Sequence, residues 1–429
     1  MKKMQNKGYR ILAKNVTISN DTWKTGLNNN DLIIGPSGAG KTRNYVKPNV
    51  LQGNESLIIA DTKGSLYEEV GPTLRNNGYK VLLLNFNSIR NSCGYNPLDY
   101  IHYDKEKEKY SEQDIIKISE CLVPKNPNLK DPFWDNAARL YLSAIISYIM
   151  ECLPDEEHTL EYVYNMYSIM NTSMFEQLFT ELEEMNPGSY AVRCYKLIKD
   201  NTKADKTDAC IKTILAEKLN GLIFDDALEM YKRKDKISFK KMGQEKTALF
   251  LTISDTDRSM DRMVNLFYTQ ALHELCKSAD EDYPDHRLPI PVRFILDDFA
   301  TNVFIPDFEK IISVIRSREV AVSIILQSIS QLSALYGENN AMTIINNCDN
   351  WIYLGGQDIG TANIIGIKAN RTRNTILNMP LDKVYIFTRG QEGRMVEKYN
   401  LYDHERYNQL PEAQRNKPQK GKCEDEYTR

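Results

Sequence analysis

Short, continuous apolar runs recur along the chain and predict strands that are buried on both faces. They lack the polar alternation of a half-exposed strand, which is typical of strands in a parallel sheet. The runs lie at 31–34, 56–60 and 80–84 in the first part of the chain, and at 248–253, 292–296, 320–326 and 351–354 in the second. The pattern predicts an α/β fold with a mostly parallel sheet.

The segment between these two groups of runs has the periodicity of amphipathic helices. Its longest periodic stretches are 132–153, 160–185 and 209–231, and two more helices are predicted among the later strands, at 260–277 and 305–318. The helical segment therefore reads as an all-α domain inserted into the α/β domain.

Four segments follow from this pattern. The first part of the α/β domain is expected at 1–110, the all-α inserted domain at 111–244, the second part of the α/β domain at 245–410 and a disordered polar tail at 411–429. A chain of 429 residues is long enough for about two such domains.

Composition favours a globular protein inside the cell. Charged residues make up 26% of the chain, and the longest uncharged apolar helix candidate, 140–150, is too short for a membrane span of about 20 residues. The basic N-terminus is not followed by the apolar segment of a signal peptide. Eight cysteines occur without a C-x-x-C pair, which is typical of reduced thiols and offers no metal site.

Charge is unevenly distributed around a total of −3, which excludes a generally basic nucleic-acid coat. Residues 1–50 carry nine Lys and Arg against two acids, whereas 151–190 carry nine acids and no Lys or Arg. One interpretation is that the first segment handles DNA and that the second receives a basic protein. The alternative is that both are solvated helix faces.

A phosphate-binding loop follows the run at 31–34. Its glycines allow the backbone N–H groups to surround phosphates, while its lysine neutralises them and its hydroxyl coordinates Mg²⁺. The motif has the pattern G-x-x-x-x-G-K-T and consists of Gly35, Pro36, Ser37, Gly38, Ala39, Gly40, Lys41 and Thr42. ATP and Mg²⁺ are the expected ligands.

Polar residues at the ends of later strands complete a candidate catalytic site. Asp297 is expected to hold Mg²⁺ and Asp298 to polarise the attacking water, since both follow the run at 292–296. Gln327 ends the next strand and can sense the outer phosphate. Arg316 is a candidate arginine finger for a neighbouring subunit, with Arg318 as a second candidate and a surface ion pair as the alternative.

One further segment, 61–64, stays open between two interpretations. Its sequence, Asp-Thr-Lys-Gly, follows the run at 56–60, so the lysine can face a ligand at the strand tips, or the segment can be a plain turn.

Together these segments resemble the TraG/TraD family of type IV coupling proteins of bacterial conjugation. The resemblance covers roughly 30–400. It is carried by GPSGAGKT at 35–42, IIADTKGSLYEE at 58–69, YNPL at 95–98, DPFWDNAARLYL at 131–142, ILDDFA at 295–300 and LQSISQL at 326–332.

This resemblance implies a RecA-like P-loop NTPase domain and an all-α domain that contacts cargo. The family forms a ring, usually a homo-hexamer, that hydrolyses ATP and recruits a relaxase with its DNA to the proteins of the secretion channel. Transfer of single-stranded DNA is the expected outcome. By motif position, the family's site residues match six positions of this sequence: Lys41, Thr42, Asp297, Asp298, Gln327 and Arg316.

Two departures from the family pattern stand out. Asp298 occupies a position where the family commonly has Glu, so the carboxylate is one methylene further from the water and hydrolysis is expected to be slower. The family also usually has N-terminal transmembrane helices, whereas here the motif begins at Gly35. Either a separate membrane partner holds this protein at the cytoplasmic face of the membrane, or the sequence is truncated.

Two other functions are consistent with these motifs. One is a chromosomal DNA pump like FtsK, which the helical insertion and the DPFW segment disfavour. The other is a docking module that is gated by nucleotide and hydrolyses it very little.

Overall fold

A computed structural model of the chain describes residues 8–125, 131–201, 205–254, 256–299 and 303–415. Its strands are β1 Tyr9–Ala13, β2 Val16–Ser19, β3 Asp31–Ile34, β4 Ser56–Ala60, β5 Lys80–Asn85, β6 Tyr103–Asp104, β7 Lys109–Tyr110, β8 Thr247–Thr252, β9 Val292–Leu296, β10 Val320–Leu326, β11 Asn350–Tyr353, β12 Lys383–Thr388 and β13 Arg394–Glu397. Every strand predicted from an apolar run is present, with ends that shift by at most one or two residues.

Helices cover most of the remaining described residues, together with short 3₁₀ turns and a π-helical turn, Thr42–Val46. They are α1 Thr22–Thr25, α2 Lys47–Gln52, α3 Ser65–Asn76, α4 Glu112–Leu122, α5 Phe133–Cys152, α6 Leu160–Ser168, α7 Ser173–Met185, α8 Tyr190–Asn201, α9 Asp205–Asn220, α10 Asp225–Lys232, α11 Phe239–Met242, α12 Asp261–Asp282, α13 Phe308–Val314, α14 Ile329–Tyr336, α15 Glu338–Asn346, α16 Ile359–Ala369, α17 Arg373–Leu377 and α18 Pro411–Arg415.

Nine of the described strands form one sheet in the order β13-β12-β11-β3-β10-β9-β4-β8-β5. The strands from β11 to β5 are parallel, and β12 and β13 join one edge in antiparallel fashion. Leu32 and Ile34 face one core while Ile33 faces the other, so β3 is covered on both sides. This confirms the predicted α/β class with a mostly parallel sheet.

The helical insertion, α4–α11, lies between the β6–β7 hairpin and β8. Within 111–244, the described residues form no strand, and one isolated bridge joins Gly94 to Lys236. The buried residues of these helices are continuous with the core on one face of the sheet. The insertion therefore packs as an extension of that core.

Several helix boundaries differ from the sequence prediction. The stretch 160–185 is divided into α6 and α7, because Thr172 takes up an extended backbone conformation. The stretch 209–231 is divided near Gly221, where glycine disfavours helix. The helix predicted at 305–318 becomes α13 followed by the 3₁₀ turn Ile315–Arg318.

The apolar pattern did not predict the β1–β2 hairpin or the two antiparallel edge strands. β1 contains the charged Arg10, and the residues of β13 are mostly exposed, so neither is a continuous apolar run. At the other end of the chain, disorder was predicted for 411–429, but 411–415 form α18, in which Ala413 is buried. The rest of that tail lies outside the described residues.

A buried ionic cluster joins the central strands near their amino ends. Asp31, at the start of β3, is 0% exposed and accepts hydrogen bonds from Arg10 Nε at 2.7 Å and Tyr45 Oη at 2.6 Å. Asn350 of β11 donates to the same carboxylate at 2.9 Å. The neighbouring Arg293 of β9 lies 3.7 Å from Asp31, and the two arginines hold the pKa of Asp31 below its usual value despite burial.

This cluster predicts a strong dependence of stability on Asp31. Asp31→Asn leaves Arg10 buried without a full counter-charge, so the free energy of unfolding should fall by about 3–5 kcal/mol. Urea denaturation followed by circular dichroism measures the change. The matched control, Lys14→Met, removes an exposed ion pair with Glu397 and should leave the midpoint nearly unchanged. Equal shifts for both variants would contradict the assigned role of the cluster.

Candidate nucleotide-binding site

The loop from Gly35 to Thr42 leaves the carboxyl end of β3, as expected for a phosphate-binding loop. Gly38 and Gly40 have φ values of 78° and 90°, which favour glycine, and a Cβ at Gly40 would collide with the Asn44 side chain. The glycines therefore allow the tight curvature of this loop.

Lys41 lies within the curve of the loop and is buried. Its Nζ donates to the backbone carbonyls of Gly35 at 2.7 Å and Pro36 at 3.2 Å. The ammonium group is thereby held at the centre of the loop, where a lysine can neutralise a phosphate chain.

Thr42 and Asp297 are in contact although they follow different strands of the sheet. The sequence predicted both residues as Mg²⁺ ligands. Thr42 Oγ1 donates to Asp297 Oδ2 at 3.2 Å. Asp297 follows β9, which is separated from β3 by β10 alone, so the two carboxyl ends lie at the same edge of the sheet. A hydroxyl and a carboxylate at this distance are a suitable pair of oxygen ligands for Mg²⁺.

Asp298 and Gln327 lie next to this pair. Gln327 Nε2 donates to Asp298 Oδ1 at 3.4 Å, so the two predicted catalytic residues are neighbours. Asp298 has a φ of 49°, in the left-handed region where Asp is enriched over most other non-glycine residues. This backbone conformation is a physical reason for the shorter acid at this position.

Asp297 is buried beside a second carboxylate, and both features disfavour its charged form. Burial, with the charge of Asp298, raises the pKa of Asp297 to about 6, although Lys41 and the Thr42 hydroxyl oppose the shift. A cation bound between these groups would relieve that repulsion.

The turn after β4 forms the far wall of a cleft of about 270 Å³. The sequence left the role of this turn open, and the structure places it opposite the loop. The polar residues that line the cleft include Lys41, Thr42, Asp61, Lys63, Asp297 and Asp298.

Residues from the C-terminal part of the chain hold the loop from outside. Lys398 Nζ donates to the carbonyl of Ala39 at 3.0 Å, and Asn44 Nδ2 donates to the carbonyl of Tyr399 at 2.6 Å. The guanidinium of Arg43 lies 4.8 Å from the ring centre of Tyr402. These contacts join segments more than 350 residues apart, so local sequence patterns did not predict them.

Arg316 lies at the amino ends of the strands, on the side of the sheet opposite the phosphate-binding loop. It precedes β10, whose seven residues lead to Gln327 and span roughly 20 Å. Its side chain is exposed and donates to the carbonyl of Thr22 at 3.4 Å. Arg318, the second candidate, instead pairs with Asp280 at 2.8 Å. Neither arginine reaches the loop of its own chain.

Several basic residues of 1–50 have partners within the fold. Arg10 belongs to the buried cluster and Lys41 to the loop, while Lys14 pairs with Glu397 and Lys47 with Glu69. The interpretation of this segment as a DNA-handling surface stays a prediction. The lysines at positions 2, 3 and 7 lie outside the described residues.

The acidic segment 151–190 is also partly neutralised. Lysines from neighbouring helices pair with three of its acids, in the pairs Glu161–Lys232, Glu176–Lys199 and Glu183–Lys196. By contrast, the carboxylates of the exposed turn Asp155–Glu157 keep this region acidic.

The sheet and this combination of a loop lysine, a threonine and strand-end carboxylates define a P-loop NTPase of the RecA-like class. The family described as Type IV secretory system Conjugative DNA transfer matches residues 1–368, and the chain belongs to this family of coupling proteins. The resemblance to the TraG/TraD type is thereby confirmed.

Curated relatives are distant and longer. Protein VirD4 of Rhizobium radiobacter is 22% identical over 338 residues, which are 78% of this chain and 47% of the relative. Protein VirD4 of Rhizobium rhizogenes is 22% identical over 341 residues, covering 78% of this chain and 48% of the relative. The chain thus spans about half the length of these relatives.

Solved structures share the fold. The plasmid coupling protein TrwB in complex with the ATP analogue ADPNP superposes with a TM-score of 0.66 at 17% identity, covering 91% of this chain and 89% of that one. VirB4 of Thermoanaerobacter pseudethanolicus gives 0.56 at 14% identity and covers 92% and 96%. Among the described residues, no helix is long and apolar enough to cross a membrane.

The raised pKa of Asp297 predicts a pH-dependent stability. An acid whose pKa is raised in the folded state lowers the stability of the protein as the pH rises. The loss begins at the unfolded pKa, near 4, and is complete above the folded pKa. Asp297→Asn removes this loss, so without Mg²⁺ or nucleotide the variant should gain about 1–3 kcal/mol over the parent at neutral pH. The gain should shrink towards pH 4.

Thermal unfolding of both proteins in EDTA across this range measures the effect. The exposed Asp382→Asn is the matched control and should show no such trend. A stability difference between Asp297→Asn and the parent that does not depend on pH would contradict the raised pKa of Asp297.

Proposed function

We propose that this protein is the ATP-hydrolysing coupling protein of a type IV secretion system for conjugative DNA transfer. In this role it recruits a relaxase–DNA complex and drives or gates the passage of single-stranded DNA into the secretion channel. The observation that carries the proposal is the assembly of Lys41, Thr42, Asp297 and Asp298 in one cleft, in a chain that belongs to this family.

The donor set of the cleft fits a nucleotide with Mg²⁺. The curved loop and the Lys41 ammonium suit phosphates, and the Thr42 hydroxyl with the Asp297 carboxylate suits a hard cation. The related TrwB has been solved with ADPNP and with ADP and Mg²⁺. A bound Mg²⁺ would supply positive charge for the developing negative charge on the phosphates.

Hydrolysis then depends on the residues beside the cation site. Asp298 orients the attacking water and accepts its proton. Gln327 donates a hydrogen bond to Asp298 and thereby positions that carboxylate near the outer phosphate. Asp298 has a left-handed backbone conformation, which fixes the position from which its carboxylate extends.

Arg316 supplies the remaining positive charge from a neighbouring subunit. Its exposed position, at the sheet edge opposite its own loop, suits contact in trans in a ring, for which we propose a homo-hexamer. We place the ring at the cytoplasmic face of the membrane, with a separate membrane partner or a further segment as its anchor.

Removal of the catalytic carboxylate should separate binding from turnover. Asp298→Asn should retain nucleotide affinity but lower kcat by about 10²- to 10⁴-fold, since it cannot accept the proton. Lys41→Ala should lose nucleotide binding itself. Phosphate release and fluorescent-nucleotide binding measure the two effects, with the exposed Asp382→Asn as the matched control.

The same assay with single-stranded DNA distinguishes a motor from a docking module. A motor should hydrolyse ATP faster at saturating DNA. A slow ATP hydrolysis rate that neither DNA nor Asp298→Asn changes would contradict the motor. It would favour a docking module that is gated by nucleotide binding without hydrolysis.

Sites shared between subunits should show complementation. Lys41→Ala and Arg316→Ala chains are each expected to be inactive alone, but mixed rings contain some sites with both an intact loop and an intact arginine. ATPase activity should therefore reappear on mixing. An Arg318→Ala chain is the control, because Arg318 pairs with Asp280. Absence of activity at every mixing ratio would contradict the role of Arg316 in trans.

A further inference from the structure

The turn that follows β4 faces the phosphate-binding loop across the cleft. Lys63 lies in this turn and lines the same cleft as Lys41, Asp297 and Asp298. The sequence alone could not distinguish a ligand contact from a plain turn at this position. The position of the turn in the wall of the cleft favours a ligand contact.

The turn is rigidly built. Gly64 has a φ of 69°, and its N–H donates to the carbonyl of Asp61 at 3.0 Å. The Asp61 side chain is 3% exposed and accepts from the N–H of Tyr67 at 3.0 Å, which ties the turn to the first residues of α3. Lys63 is thus presented from a fixed backbone.

Lys63 forms no ion pair in the part of the chain that the structure describes, so its ammonium group stays available to a ligand. Lys47 pairs with Glu69 and Lys80 with Glu245, whereas no carboxylate among the described residues forms an ion pair with the exposed Lys63. Lys63 is also one of the residues that line the cleft.

The strand order determines which end of a ligand Lys63 would meet. The loop follows β3, the carboxylates follow β9 and the turn follows β4, in the order β3-β10-β9-β4. Neighbouring strands are about 4.8 Å apart, so β4 lies roughly 14 Å from β3, beyond the carboxylates. A phosphate chain that leaves the loop past the carboxylates therefore has its outer end towards Lys63.

We propose that Lys63 is a second phosphate-binding residue, which contacts the outermost phosphate of a nucleoside triphosphate opposite Lys41. The inference rests on the proposed function of the cleft as a nucleotide site. It implies that the protein distinguishes a triphosphate from a diphosphate through Lys63, because only the triphosphate extends far enough across the cleft. Asp61 and Gly64 are positioning residues that hold the turn.

The test compares the affinities of two nucleotides in the presence of Mg²⁺. Lys63→Ala should weaken binding of the non-hydrolysable analogue ADPNP by about 10- to 100-fold, as expected for loss of a charged hydrogen bond, and binding of ADP by less than about twofold. Lys63→Arg should retain most of the discrimination. Isothermal titration calorimetry measures both affinities, and circular dichroism checks that the variants are folded.

Two reference variants complete the design. Lys80→Ala removes an exposed lysine of the same sheet, far from the cleft, and should change neither affinity. Lys41→Ala should lose both. If Lys63→Ala leaves the two affinities unchanged, or lowers them equally, the assignment of Lys63 is wrong while the nucleotide site remains. If the parent protein binds neither nucleotide, the proposed function fails as well.

Discussion

The buried carboxylate of Asp31 is the interaction on which the rest of the sheet depends. It joins β3 to β1 through Arg10 and to β11 through Asn350, and Arg293 of β9 completes the cluster with Glu55 as its own counter-charge. Burying these charges is costly, and the cost is offset because Asp31 and the two arginines each meet several partners. The amino ends of the central strands are thereby held in register, which leaves the loops at their carboxyl ends free to carry chemistry.

At the carboxyl ends of the strands, by contrast, the charged groups are arranged unfavourably. Two neighbouring carboxylates repel each other there, one of them on a backbone in the left-handed region, and a buried lysine is held by backbone carbonyls in place of an acid. Such features are unfavourable in the absence of a ligand and are typical of functional sites. The C-terminal segment braces this edge through Lys398 and Tyr399, so the phosphate-binding loop depends on residues from both ends of the chain.

Charge in the rest of the protein is largely used for structure. The basic and acidic segments that stand out in the sequence are partly neutralised by partners from other elements, such as Lys14 with Glu397 and Glu183 with Lys196. The helical insertion shares one continuous core with a face of the sheet. Motion of the insertion would therefore act directly on the strands that carry the site.

The sequence by itself determined the seven parallel strands of the sheet, the phosphate-binding loop and the family, because each depends on neighbouring residues or on their periodicity. The buried antiparallel strand β12 was missed. The apolar pattern also missed β1 and β13, where a charged or exposed strand has no apolar run. Only the tertiary structure decided that Lys63 faces the loop, that Lys398 holds it and that Arg316 lies at the far edge. These relations depend on strand order and on contacts between distant segments, which local sequence patterns do not specify.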